Sequence, residues 1–373
     1  MRTIKLLIQK EFLQIFRNKG LLPLLFVAPL IQLLILPLAA DYEVKNISIS
    51  IIDHDHSTYS GSLISAISSS GYFKNGDYSS SFKESLTQIE QDKADIILEI
   101  PYGFEKNLVR EGSEKLFVAV NAINGVKAGL GGAYLTKIIN RFNTEIRMKW
   151  IPTSQFNPSP VIDVVPSDWF NPHLNYKYFM VPGILAVLVT MISSYVCALN
   201  IVKEKEIGTI EQINVTPIKK IHFILGKLIP FLIIGLMVFS IGLFVVGRFV
   251  YGISPVGSIA LLYAFLFIYL IALLGFGLLI STYSETQQQA MSIAFFFMMI
   301  FMLMSGLFTS IESMPPWARI IAQSNPVTYF IQVLRMIVLK GSNFNDIKIH
   351  FLVTTIFAIG LNGWAVFNYK KTT

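Results

Sequence analysis

Cysteine, histidine and charge are all scarce in this chain. A single cysteine, Cys197, stands among 373 residues, which excludes an internal disulfide and a metal site built from several thiolates. Cys197 lies in an apolar run and reads as a small packing residue. Lys, Arg, Asp and Glu supply 14% of the residues, against about 25% in an average soluble domain. With 53% of the chain hydrophobic, that deficit excludes an ordinary soluble protein and points to the bilayer. No Gly-x-x-x-x-Gly-Lys-Ser/Thr loop is present, so no phosphate cradle for a nucleotide is expected. No Ser/His/Asp or Cys/His arrangement suggests nucleophilic catalysis, and the chain reads as a non-enzyme with no cofactor of its own. The apolar runs hold almost no ionisable side chains beyond Lys227 and Arg248, which stand near span ends where they can snorkel to the interface. That scarcity weighs against an intramembrane protease and a proton-coupled carrier.

What is present is a series of long apolar runs. A bilayer core about 30 Å thick needs roughly 20 apolar residues at 1.5 Å rise each. Six segments qualify, at 21–40, 178–201, 222–247, 257–281, 290–310 and 347–368. The expected fold class is an α-helical polytopic membrane protein with six transmembrane helices and an inserted extracytoplasmic α/β domain. The domain occupies 41–176, between transmembrane helix 1 (21–40) and transmembrane helices 2–6 (177–373). Charge supports the division. Residues 41–176 hold 16 acidic and 12 basic residues, a net of −4, while the rest holds 7 acidic and 18 basic, a net of +11. The basic excess belongs to the membrane parts and suits anionic headgroups rather than nucleic acid. Basic residues gather in 1–20, in the loop after the second span and at Lys370 and Lys371. The positive-inside rule then places both termini in the cytoplasm. Arg319, Arg335 and Lys340 run against it. Leu38-Ala39-Ala40 resembles a signal-peptide cleavage site, but the apolar run is too long for one, so a retained span is expected.

Residues 1–20 read as an amphipathic interfacial helix. Ile4, Leu7, Ile8, Phe12, Ile15 and Phe16 recur at three- and four-residue spacing, with Lys5, Gln9, Lys10, Gln14 and Arg17 on other faces. Within 41–176, strands are expected at 47–52, 95–100 and 116–120. Helices are expected at 62–67, 82–91 and 126–148, the last weakened by Gly129, Gly131 and Gly132. This alternation argues for a small mixed or parallel sheet with helices packed on it. Residues 152–172 are rich in Pro and Asn and read as an extended return to the membrane. Asp53-His54-Asp55-His56 offers four metal-ligand types in a row, but no second cluster is evident to converge with it. A strand-to-helix turn capped by Asp55, Ser57 or Thr58 is expected instead, with no metal.

The most specific segment runs from Glu204 to Pro217. Gly208 breaks the span, Thr209 and Gln212 have capping-box spacing, and Pro217 keeps the new helix from continuing into the third span. A helix of about two turns is expected across the membrane surface, rimmed by acidic groups and presenting Ile210 and Ile213. On residue chemistry alone, this is either a rigid contact for a partner or an ordinary capped loop.

The pattern Glu-x-Glu-x-Gly-Thr-x-Glu-x-x-x-x-x-Pro resembles the signature of ABC-2 type transporter permeases, and the likeness extends along the chain. The amphipathic N-terminal helix fits that family. So does the insertion opening on Ile52-Asp53-His54-Asp55-His56-Ser57, and so does the segment from Pro316-Trp317 through Asn325-Pro326 to Arg335 and Lys340-Gly341. The resemblance implies the membrane subunit of an ATP-driven exporter in the plasma (inner) membrane. It would move an apolar or amphiphilic substrate out of the cytoplasm or inner leaflet. Glu204, Glu206, Gly208, Thr209, Ile210, Glu211, Ile213 and Pro217 would form a coupling helix on a separate ABC ATPase subunit, which would bind ATP and Mg. Two permeases, identical or paralogous, would pair. Pro315, Pro316, Trp317, Asn325, Pro326 and Arg335 would belong to an outer re-entrant segment near 312–341, and Phe297, Met298, Phe301 and Met302 would line the substrate pathway. The competing reading is a membrane-anchored scaffold or envelope-assembly factor. In either case the outer domain could bind a periplasmic partner.

Overall fold

A computed structural model describes residues 2–39, 47–74, 78–122, 125–150, 170, 175–209 and 218–369. Two compact units are present, one of Met1–Asp41 with Pro166–Thr373 and one of Tyr42–Val165. The chain opens with α1 (Arg2–Arg17) and α2 (Pro23–Ala39), whose first turn is a π turn. The smaller unit follows as β1 (Ile47–Asp53), α3 (Thr58–Ser68), β2 (Phe73–Lys74), α4 (Phe82–Glu90), β3 (Ile96–Ile100), α5 (Phe104–Glu111), β4 (Phe117–Val120) and α6 (Gly125–Trp150). Its sheet order is β2-β1-β3-β4. Strand β1 is parallel to β2 and β3, and β3 is antiparallel to β4. In the centre Ile49 pairs with Ile96 and Ile51 with Leu98, and all four are buried. Such isoleucine-rich runs suit strands covered on both faces. Helix α6 approaches closely at Gly131, where a Cβ would lie 2.6 Å from Ile96 Cδ1. The glycine that weakens the helix by propensity thus lets it pack on the sheet. Elements β2 and α5 have no counterpart in the sequence reading, β2 being two residues long and too short to carry a period. Apart from Phe170, the expected return at 152–172 lies outside the described residues.

The polar turn after β1 is occupied by backbone bonding. Asp53 Oδ1 accepts the N–H groups of Asp55 (3.0 Å) and His56 (3.1 Å), and Ser57 Oγ accepts that of Ser60 at 3.2 Å, capping α3. Asp55 serves another helix: its Oδ2 accepts the Glu105 N–H at 3.0 Å, at the start of α5. Burial pushes the Asp55 carboxyl up, but hydrogen bonds from Ser57 and from the backbone of 103–105 outweigh it and hold the pKa below the usual range. Among the described residues no three His, Cys, Asp or Glu side chains converge.

The larger unit continues as α7 (Tyr176–Glu206), α8 (Lys220–Val250), α9 (Ile259–Tyr283), α10 (Gln287–Leu303), α11 (Pro316–Gln323), α12 (Pro326–Val338) and α13 (Phe344–Asn368). Helices α7, α8, α9 and α13 are long and apolar enough to cross a membrane. The other two expected spans are shorter than their apolar runs. Helices α2 and α10 have 17 residues each, about 26 Å at 1.5 Å per residue, the lower edge of what a span needs. The run at 290–310 stops at Leu303 and turns at Gly306 (φ 78°).

Contacts at the two ends set the helix directions. At one end Lys205 Nζ donates to the Ser284 carbonyl at 2.8 Å, and the Phe223 and Tyr369 rings stack at 5.9 Å. At the other end Val256 and Gly257 donate backbone N–H groups to Val338 (3.1 Å) and Ile337 (3.0 Å), and Tyr251 Oη donates to the Leu34 carbonyl at 2.7 Å. Helices α7, α8, α9, α10 and α13 therefore alternate in direction. Helix α9 is the centre of the packing. Its Tyr269, fully buried, shares a 2.5 Å hydrogen bond with Thr190 of α7. A Cβ at Gly277 would lie 2.6 Å from the Ser194 carbonyl oxygen, so the α7 and α9 backbones nearly touch there. Asn362 of α13 donates Nδ2 to the Ile271 carbonyl at 2.8 Å beside Gly275. Small residues at such crossings replace the hydrophobic drive that lipid cannot supply.

Gly277→Val should therefore lower the unfolding midpoint of the detergent-purified protein, by the equivalent of about 1–3 kcal/mol. Gly360→Ala, where a Cβ meets nothing within 4 Å, should leave it unchanged or raised. Equal midpoints for the two variants would contradict this account of the α7–α9 crossing.

Candidate functional site

Helix α1 is not merely a surface float. It crosses α8 at Gly226, where a Cβ would lie 2.8 Å from Leu7 Cβ. Ile15 is fully buried, while Phe16, on the same apolar stripe, is 52% exposed. Glu11 sits midway between Leu7 and Ile15 at i, i+4 spacing, on the packed face. The stripe therefore carries a carboxylate into the joint between α1, α7 and α8.

Four charges meet there. Lys227 Nζ of α8 lies 2.8 Å from Glu11 Oε1 and 2.7 Å from Glu204 Oε2 of α7, and donates to Asn200 Oδ1 at 3.1 Å. Lys10 Nζ reaches Glu204 Oε1 at 2.5 Å and Glu11 Oε1 at 3.1 Å. The side chains of Lys227, Glu11 and Glu204 are 2–3% exposed, and that of Lys10 is 43% exposed. Two lysines and two carboxylates cancel, which is the condition on which charges are buried at all. At Lys10, burial opposes the ammonium form, but the hydrogen bond to Glu204 and the charges of Glu11 and Glu204 prevail, and its pKa lies above the usual lysine value.

This cluster corrects two readings. Glu204 does not rim the loop that follows; it is buried and neutralised. Lys227 does not snorkel, because Glu11 crosses over from α1 to meet it. Sequence analysis missed Glu11, Asn200 and Lys227 as members of one site. A signal existed: Glu11 is the one acidic residue in 1–20, and it interrupts the apolar stripe. Asn200 precedes Glu204 by one helical turn.

Beyond Glu204 the chain turns sharply. Gly208 has φ +80°, and a Cβ there would meet nothing within 4 Å, so conformation rather than space calls for glycine. Thr209 Oγ1 donates to the Glu204 carbonyl at 3.0 Å. Glu206 accepts from Gln287, from its backbone N–H at 3.2 Å and its Nε2 at 2.7 Å, at the start of α10. With the Lys205–Ser284 bond, this joins the two connections at this end of the helices. Ile210, Glu211, Ile213 and Pro217 lie outside the described residues.

The other candidate residues lie apart from this cluster. Phe297 and Phe301 pack on Phe276 of α9, each with ring centroids 5.3 Å apart, and Met298 Sδ accepts from Ser194 Oγ at 3.7 Å. Met302 borders a cavity of about 60 Å³ with Gln32, Met180 and Leu307. On α10 these four face the neighbouring helices, while Phe295 and Phe296 are exposed. Pro315 and Pro316 start α11, with Trp317 exposed beside them. Asn325 caps α12 ahead of Pro326, accepting the Val327 N–H at 3.0 Å and donating to the Phe301 carbonyl at 2.8 Å. Helix α12 has 13 residues, about 20 Å and too short to cross a bilayer. Arg335 lies in its last turn, far from Glu204.

Glu204→Gln should lower stability by about 3–5 kcal/mol, because Lys227 keeps its charge and loses a partner. Removing a charge pair together, as Glu11→Leu with Lys227→Met, should cost less than the sum of the single changes. Unfolding midpoints in a double-mutant cycle check both statements. Strict additivity would mean that Glu11 and Lys227 act separately.

Comparison with known proteins agrees with the family resemblance. Residues 19–367 match the family model described as ABC-2 family transporter protein. The chain is 32% identical over 338 residues to a protein of Escherichia coli K12 named "Probable multidrug ABC transporter permease YbhR", covering 90% of each chain. It is 25% identical over 363 residues to "Probable multidrug ABC transporter permease YbhS" of the same organism, covering 96% of this chain and 93% of that one. ABC transporter G family member 20 of Dictyostelium discoideum is 22% identical over 359 residues, covering 95% of this chain and 48% of that protein. With a family match spanning nearly its whole length and helices long enough to cross a bilayer, this chain is an integral membrane permease of the ABC-2 transporter family.

Proposed function

We propose that this permease couples ATP hydrolysis on a separate ABC ATPase subunit to export of an apolar or amphiphilic substrate. The observation that carries the reading is the buried cluster of Glu11, Glu204 and Lys227, which clamps the start of the coupling segment to three helices at once. A segment that receives a push from a partner must be held rigidly where it joins the spans, and here the joint is ionic and dry. Residues 204–217 form the coupling helix in this proposal, with Glu206, Gly208, Thr209, Ile210, Glu211, Ile213 and Pro217 following from the clamped Glu204. ATP and Mg are held by the ATPase.

Two permease chains, alike or paralogous, form the working pair in the inner membrane, each with six spans and both termini cytoplasmic. The alternating helix directions support that sidedness, as does the gathering of α1, Gly208 and Tyr369 at one end. On this topology residues 41–176 are extracytoplasmic and open to a periplasmic partner, and 312–341 form an outer re-entrant segment. Phe297, Met298, Phe301 and Met302 supply the adaptable thioether and aromatic surface of the pathway. The printed names of the two Escherichia coli relatives favour a range of drug-like substrates.

The test is copurification from native membranes in mild detergent, followed by ATP hydrolysis and transport by the complex. An ATPase subunit should copurify. A β-branched residue at a left-handed position costs about 1–2 kcal/mol. Gly208→Val should therefore keep the complex assembled but weaken coupled transport about five- to thirty-fold, and Pro217→Leu should act in the same direction. Unchanged transport in both variants would refute the coupling role. A permease recovered with no ATPase would favour a scaffold whose outer unit binds the partner.

A further inference from the structure

At the end of the helices opposite Glu204 lies a second accumulation of basic side chains, which the coupling reading does not use. A cavity of about 470 Å³ opens between α7, α12 and α13, lined by Arg335, Lys340 and His350 together with Gln332, Tyr178 and Phe179. Its volume falls within the roughly 300–1,000 Å³ of small-molecule pockets. Among the described residues no carboxylate lines it. Phe179 and Glu204 stand on the same helix, 25 residues and about 37 Å apart, so this is a separate place in the molecule.

Arg335 is the centre of the cavity. Its Nε donates to the Phe179 carbonyl at 3.3 Å and its Nη1 to the Gly306 carbonyl at 3.1 Å. The guanidinium carbon lies 3.5 Å from the centre of the Phe179 ring. Nη2 is buried against α7, 3.3 Å from where a Cβ of Gly183 would stand, and among the described residues it has no hydrogen-bond partner. His350 Nε2 pairs with Gln332 Oε1 at 3.1 Å, and among the described residues its buried Nδ1 has no partner. Two neutral carbonyls and the face of the Phe179 ring orient the arginine, but no carboxylate among the described residues neutralises it, and an unpaired buried charge is costly. At the cluster around Lys227 the chain supplies its own counter-charges. At Arg335 the described residues supply none. A role limited to bracing Phe179 and Gly306 accounts for Nε and Nη1, but not for Nη2 or for Lys340 and His350 on the same wall.

We propose that this cavity binds the anionic head of an amphiphile, a phosphate or carboxylate carried on an apolar body. The planar guanidinium matches either anion, Lys340 adds charge at the exposed rim, and the Phe179 and Met336 side chains provide an apolar wall. Two sources supply such a molecule: a phospholipid of the surrounding bilayer, or a free anionic amphiphile.

The test uses the purified full-length protein in neutral detergent, with any copurifying subunit left in place. Octyl phosphate and octanol are titrated while the unfolding midpoint is followed. Octyl phosphate should raise the midpoint saturably and octanol should not. Its apparent affinity should fall about tenfold or more in Arg335→Gln and in Lys340→Gln/His350→Gln, the loss expected for charge-assisted bonds. The double variant keeps the bonds of Arg335 to Phe179 and Gly306, so the test stands even where Arg335→Gln fails to fold. No saturable response in the wild type, an equal response to octanol, or a double variant that binds like the wild type would each overturn the proposal. Native mass spectrometry after release from a phosphatidylglycerol and phosphatidylcholine mixture then separates the sources. Preferential retention of phosphatidylglycerol, lost in the double variant, identifies the lipid head. Saturable octyl phosphate binding without that preference identifies a free amphiphile. None of these readouts depends on transport or on ATP.

Discussion

A charge taken out of water must bring its counter-charge with it, and the joint of α1, α7 and α8 is organised around that constraint. Lys227 is 2% exposed because Glu11 arrives from one helix and Glu204 from another. Each of the three needs the other two in place. The N-terminal helix is thereby set against α8 at a defined register, with Leu7 on Gly226 and Ile15 in the core. The end of α7 is held at the point where Gly208 turns the chain. Such a cluster contributes little net stability compared with an apolar filling of the same volume. Its effect is geometric: the helices fit in one register, since a slip along either axis would strand a charge.

The long helices were legible in the sequence because a span must be apolar over roughly 20 residues, and no local signal competes with that. The strands of the smaller unit were legible for a related reason, as Ile47–Asp53 and Ile96–Ile100 are runs dense in isoleucine that the sheet buries. Span lengths were less legible. Hydropathy extends past Leu303, but the chain turns at Gly306, and an apolar turn looks like an apolar helix until its dihedrals are seen. Elements as short as β2 and α5 are set by their neighbours rather than by a period of their own.

The candidate site was legible in part. Gly208 announces the break in the span, and the structure turns there with a positive φ; Thr209, expected to start the next helix with Gln212, instead donates back to the Glu204 carbonyl, and Gln212 lies outside the described residues. Lys227 was misread because its fate depends on a residue more than two hundred positions away in the chain. One lysine at the edge of an apolar run looks the same whether it reaches water or meets Glu11. Arg335 drew notice by breaking the charge rule for loops. The reason it can sit there is the pair of carbonyls, from Phe179 and Gly306, that turns it toward a cavity. The Asp53–His56 turn shows the converse case. Of the four potential ligands in a row, Asp53 and Asp55 are spent on backbone N–H groups of the turn and of the α5 start, and His54 pairs with Glu99.

Helix α7 runs between the Arg335 and Glu204 sites of the larger unit. It begins at Tyr176, beside the carbonyl that Arg335 grips, shares the Thr190–Tyr269 bond with α9 midway, and ends on Glu204. A helix that runs between two sites can act as a strut, here with a π segment at Met191–Val196 partway along it. Thermodynamic reciprocity follows for any such strut. If a nucleotide-driven shift at the Glu204 end changes how tightly the Arg335 end holds a ligand, that ligand must change nucleotide affinity by the same factor. The two ends would then report on each other, and neither would need a wire between them beyond the helix itself.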